Sequence, residues 1–403
     1  MALMPVAEAL ARVLAEANPL PVQPTDLHDA PGRVLAEDIA ARRTQPPGDV
    51  SAMDGYAVRA ADVAKVPVTL KVTGEVAAGR PFPGSIEPGC AIRIFTGGLV
   101  PQGADTVVIQ ENVTRSGDVI TVNTSASSGK NIRRAGIDFH TGDVLLKRGR
   151  LLTGRDVSLA AAMNHATLPL HRPPLVANLA TGDELMPPGQ DLGPGQIVCS
   201  NSFAVMSLAR SEGAQACDLG IAPDRLDETV AAIRRARKTK ADILVTTGGA
   251  SVGDYDLVHK ALASEGLELA FWKIAMRPGK PLMYGKLGDM HVLGLPGNPV
   301  SAFVCATLFL VPLIRKLSGR TDCEPKLEPA RAGRDLPANG ERADYMRATL
   351  TPGPDGLPVA TPFGEQDSSL MQTLARADCL LVREVLAPAL PAGAPCRIVR
   401  LPA

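Results

Sequence analysis

Residues 175–185 read LVANLATGDEL, a short apolar run that ends in a glycine turn, and this segment decides the fold class. A helix-like pattern follows from about Ser202 to Glu212, then a strand-like run from Ala216 to Gly220 and a helix-like pattern from Leu226 to Arg237. Strands that alternate with helices indicate a parallel, doubly wound α/β sheet, because parallel strands need a crossover connection.

The same alternation continues to about residue 322, and short β-like runs broken by Gly and Pro flank it on both sides. Within the alternating part, the sequence predicts strands at 243–247, 267–276 and 291–295, and helices at 254–264 and 299–317. We therefore predict four regions: a helical and extended region, 1–45 with 142–172; a β-rich domain, 46–141; the α/β domain, 173–322; and a small C-terminal β-barrel, 323–403. Within the first region, the N-terminal helix is predicted to pack against a helix at 151–162.

The composition excludes several classes of protein. Hydrophobic residues make up 45% of the 403 residues and charged residues 21%, so the chain can bury a sizeable core. The 42 basic and 42 acidic residues balance, which gives no reason to expect nucleic acid or an acidic membrane surface as a partner. The longest apolar stretch, Ala302–Val311, is too short to span a bilayer, and Met1–Ala17 lacks the pattern of a signal peptide. We expect neither a membrane helix nor secretion.

Cysteine and histidine usage points to a reducing compartment. The seven cysteines are odd in number and include no Cys-x-x-Cys pair, which is typical of reduced thiols in a cytoplasmic protein. The six histidines do not have the spacing of a zinc site. We therefore expect a cytoplasmic protein without histidine–cysteine metal chemistry.

Three glycine turns follow predicted strands of the α/β domain and are the first candidate binding elements. They are TGDE at 181–184, TGGASVG at 247–253 and GLPGNP at 294–299. Ligands of doubly wound sheets bind beyond the carboxyl ends of the strands, where glycine lets the backbone approach a ligand closely. One such turn serves equally well as a tight connection, but three in one sheet favour a binding site. None has the spacing of a dinucleotide fingerprint or a Walker loop.

Carboxylates stand beside these turns and predict a divalent cation. Glu184, Asp254 and Asp256 would repel a phosphate unless a cation such as Mg²⁺ lay between them. Asp254 fits the N-cap of the following helix, whereas Asp256, at about the third helical position, fits a cap less well. Asp256 is therefore the first candidate metal ligand.

The run WKIAMRPGKP, residues 272–281, is a candidate anion site. It places Lys273, Arg277 and Lys280 around a glycine–proline turn just after a predicted strand. Their position at the same sheet edge favours an oxyanion site over solvated surface charges, with Lys as a compact charge and Arg as a bidentate donor.

Polar residues of the β-rich domain are ambiguous on these arguments alone. Asp54 lies in SAMDGYAV at 51–58, and Thr96 lies in RIFTGG at 93–98. Asp-Gly is a common turn, and Thr before Gly-Gly is a common strand end. A further polar cluster fits either a polar loop or an anion clamp: Asn131, Arg133, Arg134 and Asp138.

Seven motifs occur in order between residues 51 and 302: SAMDGYAV, RIFTGG, NIRRAGID, TGDEL, TTGGASVGDYD, WKIAMRPGKP and GLPGNPVSA. Together they resemble the MoeA family, the molybdopterin molybdenumtransferases, which is related to the E domains of the plant molybdenum insertase and of gephyrin. Each motif alone is weak, but the set and its order are specific. The chain is identified as a member of this family.

The resemblance implies an activity and an assembly. The activity is insertion of molybdenum from molybdate into adenylylated molybdopterin, with release of AMP and with a divalent cation, Mg²⁺. The assembly is a homodimer, with 1–45 and 142–172 as the dimerisation region and a cleft between the α/β domain of one subunit and the β-rich domain of the other. Implied partners are the molybdopterin adenylyltransferase and molybdoenzyme maturation proteins.

Motif matches also assign residues by resemblance. Catalytic positions are Asp54, Thr96, Glu184 and Asp256, with Asp256 and Glu184 as metal ligands and Asp54 as the group that handles protons. Lys273, Arg277 and Lys280 of the WKIAMRPGKP run would hold the anionic groups, molybdate and phosphate. The substrate-binding positions are Asp138, Thr181, Gly182, Asp183, Ser200, Asn201, Asp224, Gly248, Gly249, Ser251, Gly253, Lys273, Arg277, Pro278, Gly279, Lys280, Pro296, Gly297, Asn298, Pro299 and Ser301. Among the departures from the family pattern, Arg277 replaces a common Lys and Cys199 a common Asp.

Two other functions stay open. A pterin-binding carrier or scaffold without turnover would use the same fold, but it would tolerate loss of Asp54, Thr96, Glu184 and Asp256, all of which are present. A nucleotide-binding enzyme of the pterin adenylyltransferase type would explain the α/β domain but not the β-rich domain. The enzyme is therefore favoured.

Overall fold

Three six-stranded sheets organise the part of the chain that the computed structural model describes, residues 3–248 and 257–402. We call them the central sheet, the β-rich sheet and the barrel sheet. Four of the predicted site residues lie outside the described residues: Gly249, Ser251, Gly253 and Asp256.

The central sheet is mixed. Its strand order is Gln215–Ala222, Leu175–Thr181, Ile243–Thr247, Met290–Leu295, Met283–Leu287 and Glu268–Trp272. The first four are parallel, with a register shift between Asn178 and Ala180 in the pairing with Gln215–Ala222, whereas Met283–Leu287 is antiparallel to both of its neighbours. The prediction of a wholly parallel sheet is therefore wrong at one edge, where the sequence predicted a single strand over 267–276 and missed Met283–Leu287.

Helices cover both faces of the central sheet. They are Asn201–Ser211, Leu226–Lys238, Leu257–Ser264 and the segment Pro299–Leu317, which contains a π-helical turn at Ala306–Leu310. Successive strand residues pack on opposite sides: Val176 joins the core under Asn201–Ser211 and Pro299–Leu317, and Ala177 joins the core under the other two helices. Burial on both faces explains why these strands are apolar throughout.

The segment Pro299–Leu317 is long and apolar enough, by length and composition alone, to cross a membrane. However, 83% of its most apolar window is buried inside the protein, so it is a core helix. The helix predicted over 299–317 is confirmed, and it continues through Pro312. That proline lies in the first turn of Val311–Leu317, directly after the π-helical turn, where a missing N–H is tolerated.

The β-rich sheet has the strand order Thr106–Ile109, Gly55–Val58, Cys90–Ile94, Val68–Val76, Val119–Val122 and Val113–Ser116. Its pairs are antiparallel except for Val68–Val76 with Cys90–Ile94. Alternating side chains form two small cores, one around Leu70 and Ile120 and one around Val76 and Ile92. These strands place Asp54 just before Gly55 and Thr96 just after Cys90–Ile94.

The barrel sheet closes on itself. Its order is Met276–Arg277, Ala343–Pro352, Pro358–Pro362, Leu327–Ala332, Pro395–Arg400 and Cys379–Arg383. Ala343–Pro352 also pairs with Cys379–Arg383, which closes a five-stranded barrel, as the sequence predicted. Met276–Arg277, from the predicted anion run, adds to this barrel as an outer strand.

The N-terminal helix, Val6–Ala15, packs on the core of the α/β layer, and the predicted packing against the helix Gly154–Ala162 is wrong. Gly154–Ala162 belongs to a separate core. It begins after the N-cap residue Thr153, whose backbone N–H donates to Asp156 Oδ2 at 2.8 Å.

Short two-stranded pairings connect these layers. They are Val22–Asp26 with Thr167–His171, Ile39–Ala40 with Val144–Leu146, Val50–Ser51 with Ile132–Arg133, and Leu185–Met186 with Ile197–Val198. The remaining helical elements are Leu27–Asp29, Ala60–Val63, Gln110–Asn112 and Met371–Ala375.

Candidate functional site

The three glycine turns meet at the carboxyl edge of the central sheet. The ladder pairs Ala180 with Thr247 and Thr247 with Leu295, so the three strands end at one level. Gly248 has a φ of +93°, and a Cβ there would lie 2.4 Å from the Thr181 carbonyl oxygen. A Cβ on Gly297 would lie 3.7 Å from Gly248 Cα. The first two turns are therefore in direct backbone contact, the third lies close to Gly248, and glycine is required at 248.

A cavity of about 670 Å³ opens above these turns, and we call it the glycine-turn cavity. Its lining includes twelve of the predicted site residues: Thr181, Gly182, Glu184, Ser200, Asn201, Asp224, Gly248, Pro296, Gly297, Asn298, Pro299 and Ser301. Seven further lining residues were not among the predicted site residues, although Thr247 and Pro281 lie in the candidate runs 247–253 and 272–281: Leu185, Ile197, Val198, Cys199, Thr247, Pro281 and Ser369. The structure thus brings most of the predicted binding residues of the α/β domain together.

Hydrogen bonds fix the walls of this cavity. Asn201 Nδ2 donates to the Gly297 carbonyl oxygen at 2.7 Å, which ties the start of one helix to the third turn. Asn298 Nδ2 donates to Ser368 Oγ at 2.8 Å, so a loop of the C-terminal region reaches the cavity. No periodic pattern in the sequence marks that loop, although its two adjacent serines are polar and stand between predicted strands.

One of the buried polar atoms without a hydrogen-bond partner belongs to the lining of this cavity. Thr181 is only 4% exposed, and its Oγ1 has no hydrogen bond among the described residues. Burial of a hydroxyl without a partner is unfavourable, so such groups often serve a ligand. Thr181 lines the glycine-turn cavity, which makes its hydroxyl a candidate ligand contact.

The acids at the first glycine turn are exposed, and of the two only Glu184 lines the glycine-turn cavity. The Glu184 side chain forms no hydrogen bond within the described chain, and its carboxylate lies over Gly182, where a Cβ would be 2.4 Å from Glu184 Oε2. Asp183 Oδ1 accepts the Asp224 backbone N–H at 3.0 Å, which joins the first turn to the start of the segment after Gln215–Ala222. Glu184 is thus free to move, whereas Asp183 is held.

Charge in the glycine-turn cavity is negative. Glu184 and Asp224 line it, and its lining contains no Lys, Arg or His among residues 3–248 and 257–402. No group of three or more potential metal ligands exists within those residues either. Two carboxylates completed by substrate oxygens are a common way for proteins to hold Mg²⁺. The donor set fits such a cation, and Asp256 lies outside the described residues.

The predicted anion residues lie elsewhere. Arg277 and Lys280 line a separate cavity of about 590 Å³ together with Arg342, between the N-terminal segment and the barrel sheet. Lys273 lines neither cavity, and its Nζ lies 5.7 Å from the ring centre of Trp272. Within the residues that the structure describes, the glycine turns and these three cations therefore do not line one cavity, unlike the expectation from the sequence.

Arg277 has a partner that the sequence did not suggest. Its Nε donates to Asp344 Oδ1 at 2.7 Å, and Nη2 contacts Oδ2 of the same carboxylate. This bond to Asp344, whose side chain is 7% exposed, raises the pKa of Arg277. Between the cations, Pro278 is half-buried, and a Cβ on Gly279 would lie 2.4 Å from Cys305 Sγ. The turn is therefore packed tightly against the core.

Asp54 and Thr96 form a second polar site on the β-rich sheet. Asp54 Oδ1 accepts hydrogen bonds from the Thr96 backbone N–H at 2.8 Å and from Thr96 Oγ1 at 2.7 Å. These bonds lower the pKa of Asp54. Nearby, the Arg93 guanidinium stacks over Tyr56 and Phe95 at 5.1 and 4.8 Å from the ring centres. The result is a fixed carboxylate beside a cation.

This second site is not part of the glycine-turn cavity of its own chain. In the described part of the chain, neither Asp54, Thr96 nor Asp138 lines that cavity. Asp138 is exposed, and its backbone N–H donates to Gln45 O at 3.1 Å. The sequence missed Asp49, which accepts hydrogen bonds from Arg134 and from a neighbouring backbone N–H and so holds the loop that carries Asp138.

Comparison with known proteins shows the same architecture over the whole chain. Three family models match in order: the MoeA N-terminal region (domain I and II) at residues 4–164, a probable molybdopterin binding domain at 177–316, and the MoeA C-terminal region (domain IV) at 329–401. The glycine-turn cavity lies mainly within the second match.

Individual relatives agree with these models. A protein of Haemophilus influenzae named molybdopterin molybdenumtransferase is 38% identical over 375 residues, 92% of each chain. A Bacillus subtilis protein of the same name is 35% identical over 388 residues, 94% of this chain and 90% of that one. The crystal structure of a molybdopterin biosynthesis MoeA protein from Pyrococcus horikosii superposes with a TM-score of 0.85 at 30% identity and covers all of both chains. The resemblance read from the motifs is confirmed, and the chain belongs to the MoeA family.

Proposed function

We propose that this protein is a molybdopterin molybdenumtransferase that transfers molybdenum from molybdate to adenylylated molybdopterin and releases AMP. Family membership and the names of the relatives support an enzyme of molybdenum cofactor biosynthesis. One structural observation carries the finer proposal: backbone turns suited to phosphate converge on a cavity whose only charged lining residues in the described chain are acids. An anionic substrate in that cavity requires a cation.

The cation that fits is Mg²⁺. Glu184 and Asp224 offer carboxylate oxygens at the cavity, and Thr181 offers an unpartnered hydroxyl. Oxygen donors that are not crowded by other protein ligands suit Mg²⁺, which keeps several positions for water and phosphate. When bound, the cation would neutralise the phosphoanhydride and favour departure of AMP. By family resemblance, Asp256 completes this set of ligands.

The chain's own residues then act by positioning. Backbone N–H groups of the turns hold the phosphate, and the polar side chains of Asn201 and Asn298 keep the third turn in place. Arg277 and Lys280, in their separate cavity, hold the oxyanion. Asp54, fixed by Thr96 and ionised, takes protons from the thiols as their sulfur atoms bind molybdenum and passes them to the displaced oxygen, which leaves as water.

The site is completed by a second copy of the chain. Asp54 and Thr96 do not line the glycine-turn cavity of their own subunit in the described residues, yet the family resemblance assigns them to one reaction with Glu184. A homodimer in which the partner's Asp54 and the partner's Thr96 face the cavity resolves this separation. The substrate then arrives from a molybdopterin adenylyltransferase, and the product passes to molybdoenzyme maturation proteins.

The test is a single-turnover reaction. The purified protein is incubated with adenylylated molybdopterin, molybdate and MgCl₂, and the pterin and AMP are followed by mass spectrometry, with EDTA in a matched control. We expect molybdenum-loaded pterin and equimolar AMP, and neither with EDTA. Tight binding of the pterin without AMP release would instead identify a carrier.

A further inference from the structure

Arg93 lies beside Asp54 on the β-rich sheet, and no step of the proposed reaction uses it. Its guanidinium carbon is 5.1 Å from the ring centre of Tyr56 and 4.8 Å from that of Phe95. Tyr56 is the cross-strand neighbour of Arg93 and is only 4% exposed, so one of the two rings belongs to the core. A planar cation that contacts two aromatic rings has little freedom to move, and its N–H donors therefore have set directions.

Two of these donors hold the main chain next to Asp54. Arg93 Nη1 donates to the Gly55 carbonyl oxygen at 3.3 Å, and Nη2 donates to Gln110 Oε1 at 2.7 Å. The backbone N–H of Gln110 in turn donates to the Asp54 carbonyl oxygen at 3.1 Å. Arg93 is therefore linked to the carbonyl groups of both Asp54 and Gly55, directly in one case and through Gln110 in the other.

The main chain at Gly55 is packed closely. A Cβ on Gly55 would clash with the Val108 carbonyl oxygen, because the strand Thr106–Ile109 lies against it. Asp54 comes directly before this glycine, so a change in the path of the main chain there moves the carboxylate. A displacement of about 1 Å in a reacting group can cost about a hundredfold in rate. The bonds from Arg93 thus help to set the position of the Asp54 carboxylate, in addition to the bonds from Thr96.

Arg93 also places a positive charge near this carboxylate. The titratable side chains on the elements around Asp54 are Tyr56, Arg93, Glu111 and Arg133. The hydrogen bonds from Thr96 are the main cause of the lowered pKa of Asp54, and the charge of Arg93 lowers it further. Loss of this charge should therefore raise the pKa of Asp54.

We propose that Arg93 is a positioning residue for the reaction and acts through Asp54, whose main chain it holds directly and through Gln110. This inference rests on the proposed function, in which Asp54 takes a proton from a thiol and passes it to the oxygen that leaves as water. Arg93 stays protonated throughout and transfers no proton. Its contribution is to keep the accepting carboxylate in place.

The kinetics of two variants test this role. Arg93→Met keeps an apolar stem and removes the donors and the charge, so kcat should fall about tenfold while KM for molybdate and the Mg²⁺ requirement stay unchanged. The acid limb of the pH profile should move to higher pH, because the ionised form of Asp54 accepts the proton. Arg93→Lys keeps the charge without the paired donors, so it should lower kcat with a smaller shift of the acid limb.

A double variant shows whether Arg93 acts through Asp54. Adding Arg93→Met to Asp54→Asn should cause no further loss of the residual activity, because the group that Arg93 positions is already absent. An independent contribution of Arg93 would instead multiply the two losses. Arg115→Met, at an exposed arginine in the edge strand Val113–Ser116 of the same sheet, is the matched control and should behave as the wild type does.

A titration without turnover separates this inference from the function. In the full chain labelled with ¹³C at the aspartate carboxyl carbons, the NMR signal of Asp54 is identified by its loss in Asp54→Asn. We expect the pKa of Asp54 to rise in Arg93→Met and to rise less in Arg93→Lys. If circular dichroism shows that Arg93→Met does not fold, Gln110→Ala tests the same bonds from an exposed position and should lower kcat about threefold.

Several results would overturn the role of Arg93. They are an Asp54 titration and a pH profile unchanged in both Arg93 variants, a further loss of activity in the double variant, and an unchanged kcat in Gln110→Ala. If the wild type releases AMP in those cases, the proposed function stands without this role. If the Asp54 titration shifts as expected but the wild type releases no AMP, Arg93 positions Asp54 and the proposed function is wrong.

Discussion

The two groups of acids assigned to the reaction are held in opposite ways. On the β-rich sheet, Asp54 Oδ1 accepts two hydrogen bonds from Thr96, at 2.8 and 2.7 Å. In the glycine-turn cavity, the Glu184 side chain has no hydrogen-bond partner within the described chain and rests over Gly182. One carboxylate is fixed before any ligand arrives, and the other can turn towards one.

This difference separates two chemical roles. The bonds from Thr96 lower the pKa of Asp54 and keep it an ionised acceptor with a set direction. Glu184 stands in a cavity whose described lining has no basic side chain, so its charge is best satisfied by a cation that enters with the substrate. Changes at the two sites should therefore have different signatures, in geometry, cation dependence and pH dependence.

The largest effect is expected where the glycine turns touch. Gly248→Ala places a Cβ 2.4 Å from the Thr181 carbonyl oxygen, so the turns must separate and the rate of AMP release should fall roughly a hundredfold. The matched control is Gly266→Ala, because Gly266 has nearly the same φ, +94°, with nothing within 4 Å of the added Cβ.

Unfolding of both glycine variants can be followed by the fluorescence of Trp272, the single tryptophan, which lies in the central sheet. Gly266→Ala should lose only about 1–2 kcal/mol, from its backbone conformation, and Gly248→Ala should lose more. Equal stability and equal activity of the two variants would show that the contact between the turns has no importance.

Cation dependence is the next largest contrast. Glu184→Gln should raise the Mg²⁺ concentration for half-maximal AMP release by at least about tenfold, since an amide is a poor ligand for a hard cation. Asp54→Asn should lower the rate without shifting that concentration. Glu268→Gln, at an exposed acid of the central sheet, is the matched control. If the Mg²⁺ concentration for half-maximal AMP release shifts in Asp54→Asn and not in Glu184→Gln, the roles assigned to the two acids are reversed.

The hydroxyl of Thr96 should have a smaller effect with a pH signature. Thr96→Val keeps the shape and the backbone hydrogen bond but removes one bond to Asp54, so the pKa of Asp54 should rise towards its ordinary value. Because the ionised carboxylate is the active form, the acid limb of the pH profile should move to higher pH. At neutral pH the carboxylate stays ionised in both proteins, and the loss of one orienting hydrogen bond should lower kcat/KM about tenfold.

A surface threonine provides the control for that experiment. Thr69→Val, on an exposed position of the strand Val68–Val76, should leave the profile unchanged. A pH profile of Thr96→Val that coincides with the wild type would assign the Thr96 hydroxyl to structure alone.

The smallest effect is expected in the separate cationic cavity. Lys280→Ala should weaken molybdate binding about five- to tenfold in titration calorimetry, and Lys280→Arg should restore only part of it, because guanidinium differs in size and geometry. Lys71→Ala, on the β-rich sheet, is the control. If the affinity for molybdate is unchanged in Lys280→Ala, Lys280 is a solvated surface charge that does not bind molybdate.

Much of the fold could be predicted from the sequence because its signals are local. Ile243–Thr247 and Met290–Leu295 are mainly apolar, with two or more of Ile, Leu and Val in each, and the structure has strands there within one residue of the predicted limits. Met283–Leu287 was missed because its sequence, MYGKL, contains a glycine and a lysine and breaks the apolar run. The core against which the N-terminal helix packs was also missed. An amphipathic pattern identifies the apolar face of a helix, but it does not identify the part of the protein that covers this face.

The site shows the same limit. The glycine turns were predictable because strand ends and glycines are read in one short window, and parallel strands bring their ends to one edge. Ser369 was not predicted because it reaches the cavity from the barrel region, about 70 residues along the chain from the Asn298 turn. Arg277 appeared free in sequence, but Asp344, 67 residues later, binds it.

The central claim is that one reaction site combines Asp54 of one subunit with Glu184 of the other, and subunit mixing tests it most directly. Asp54→Asn and Glu184→Gln subunits, each of low activity as homodimers, are mixed, allowed to exchange, and assayed for AMP release. Statistical exchange makes half of the dimers mixed, and each mixed dimer has one intact site, so activity should return to about a quarter of wild type. If native mass spectrometry shows mixed dimers and activity does not return, both acids act within one chain and the claim is wrong.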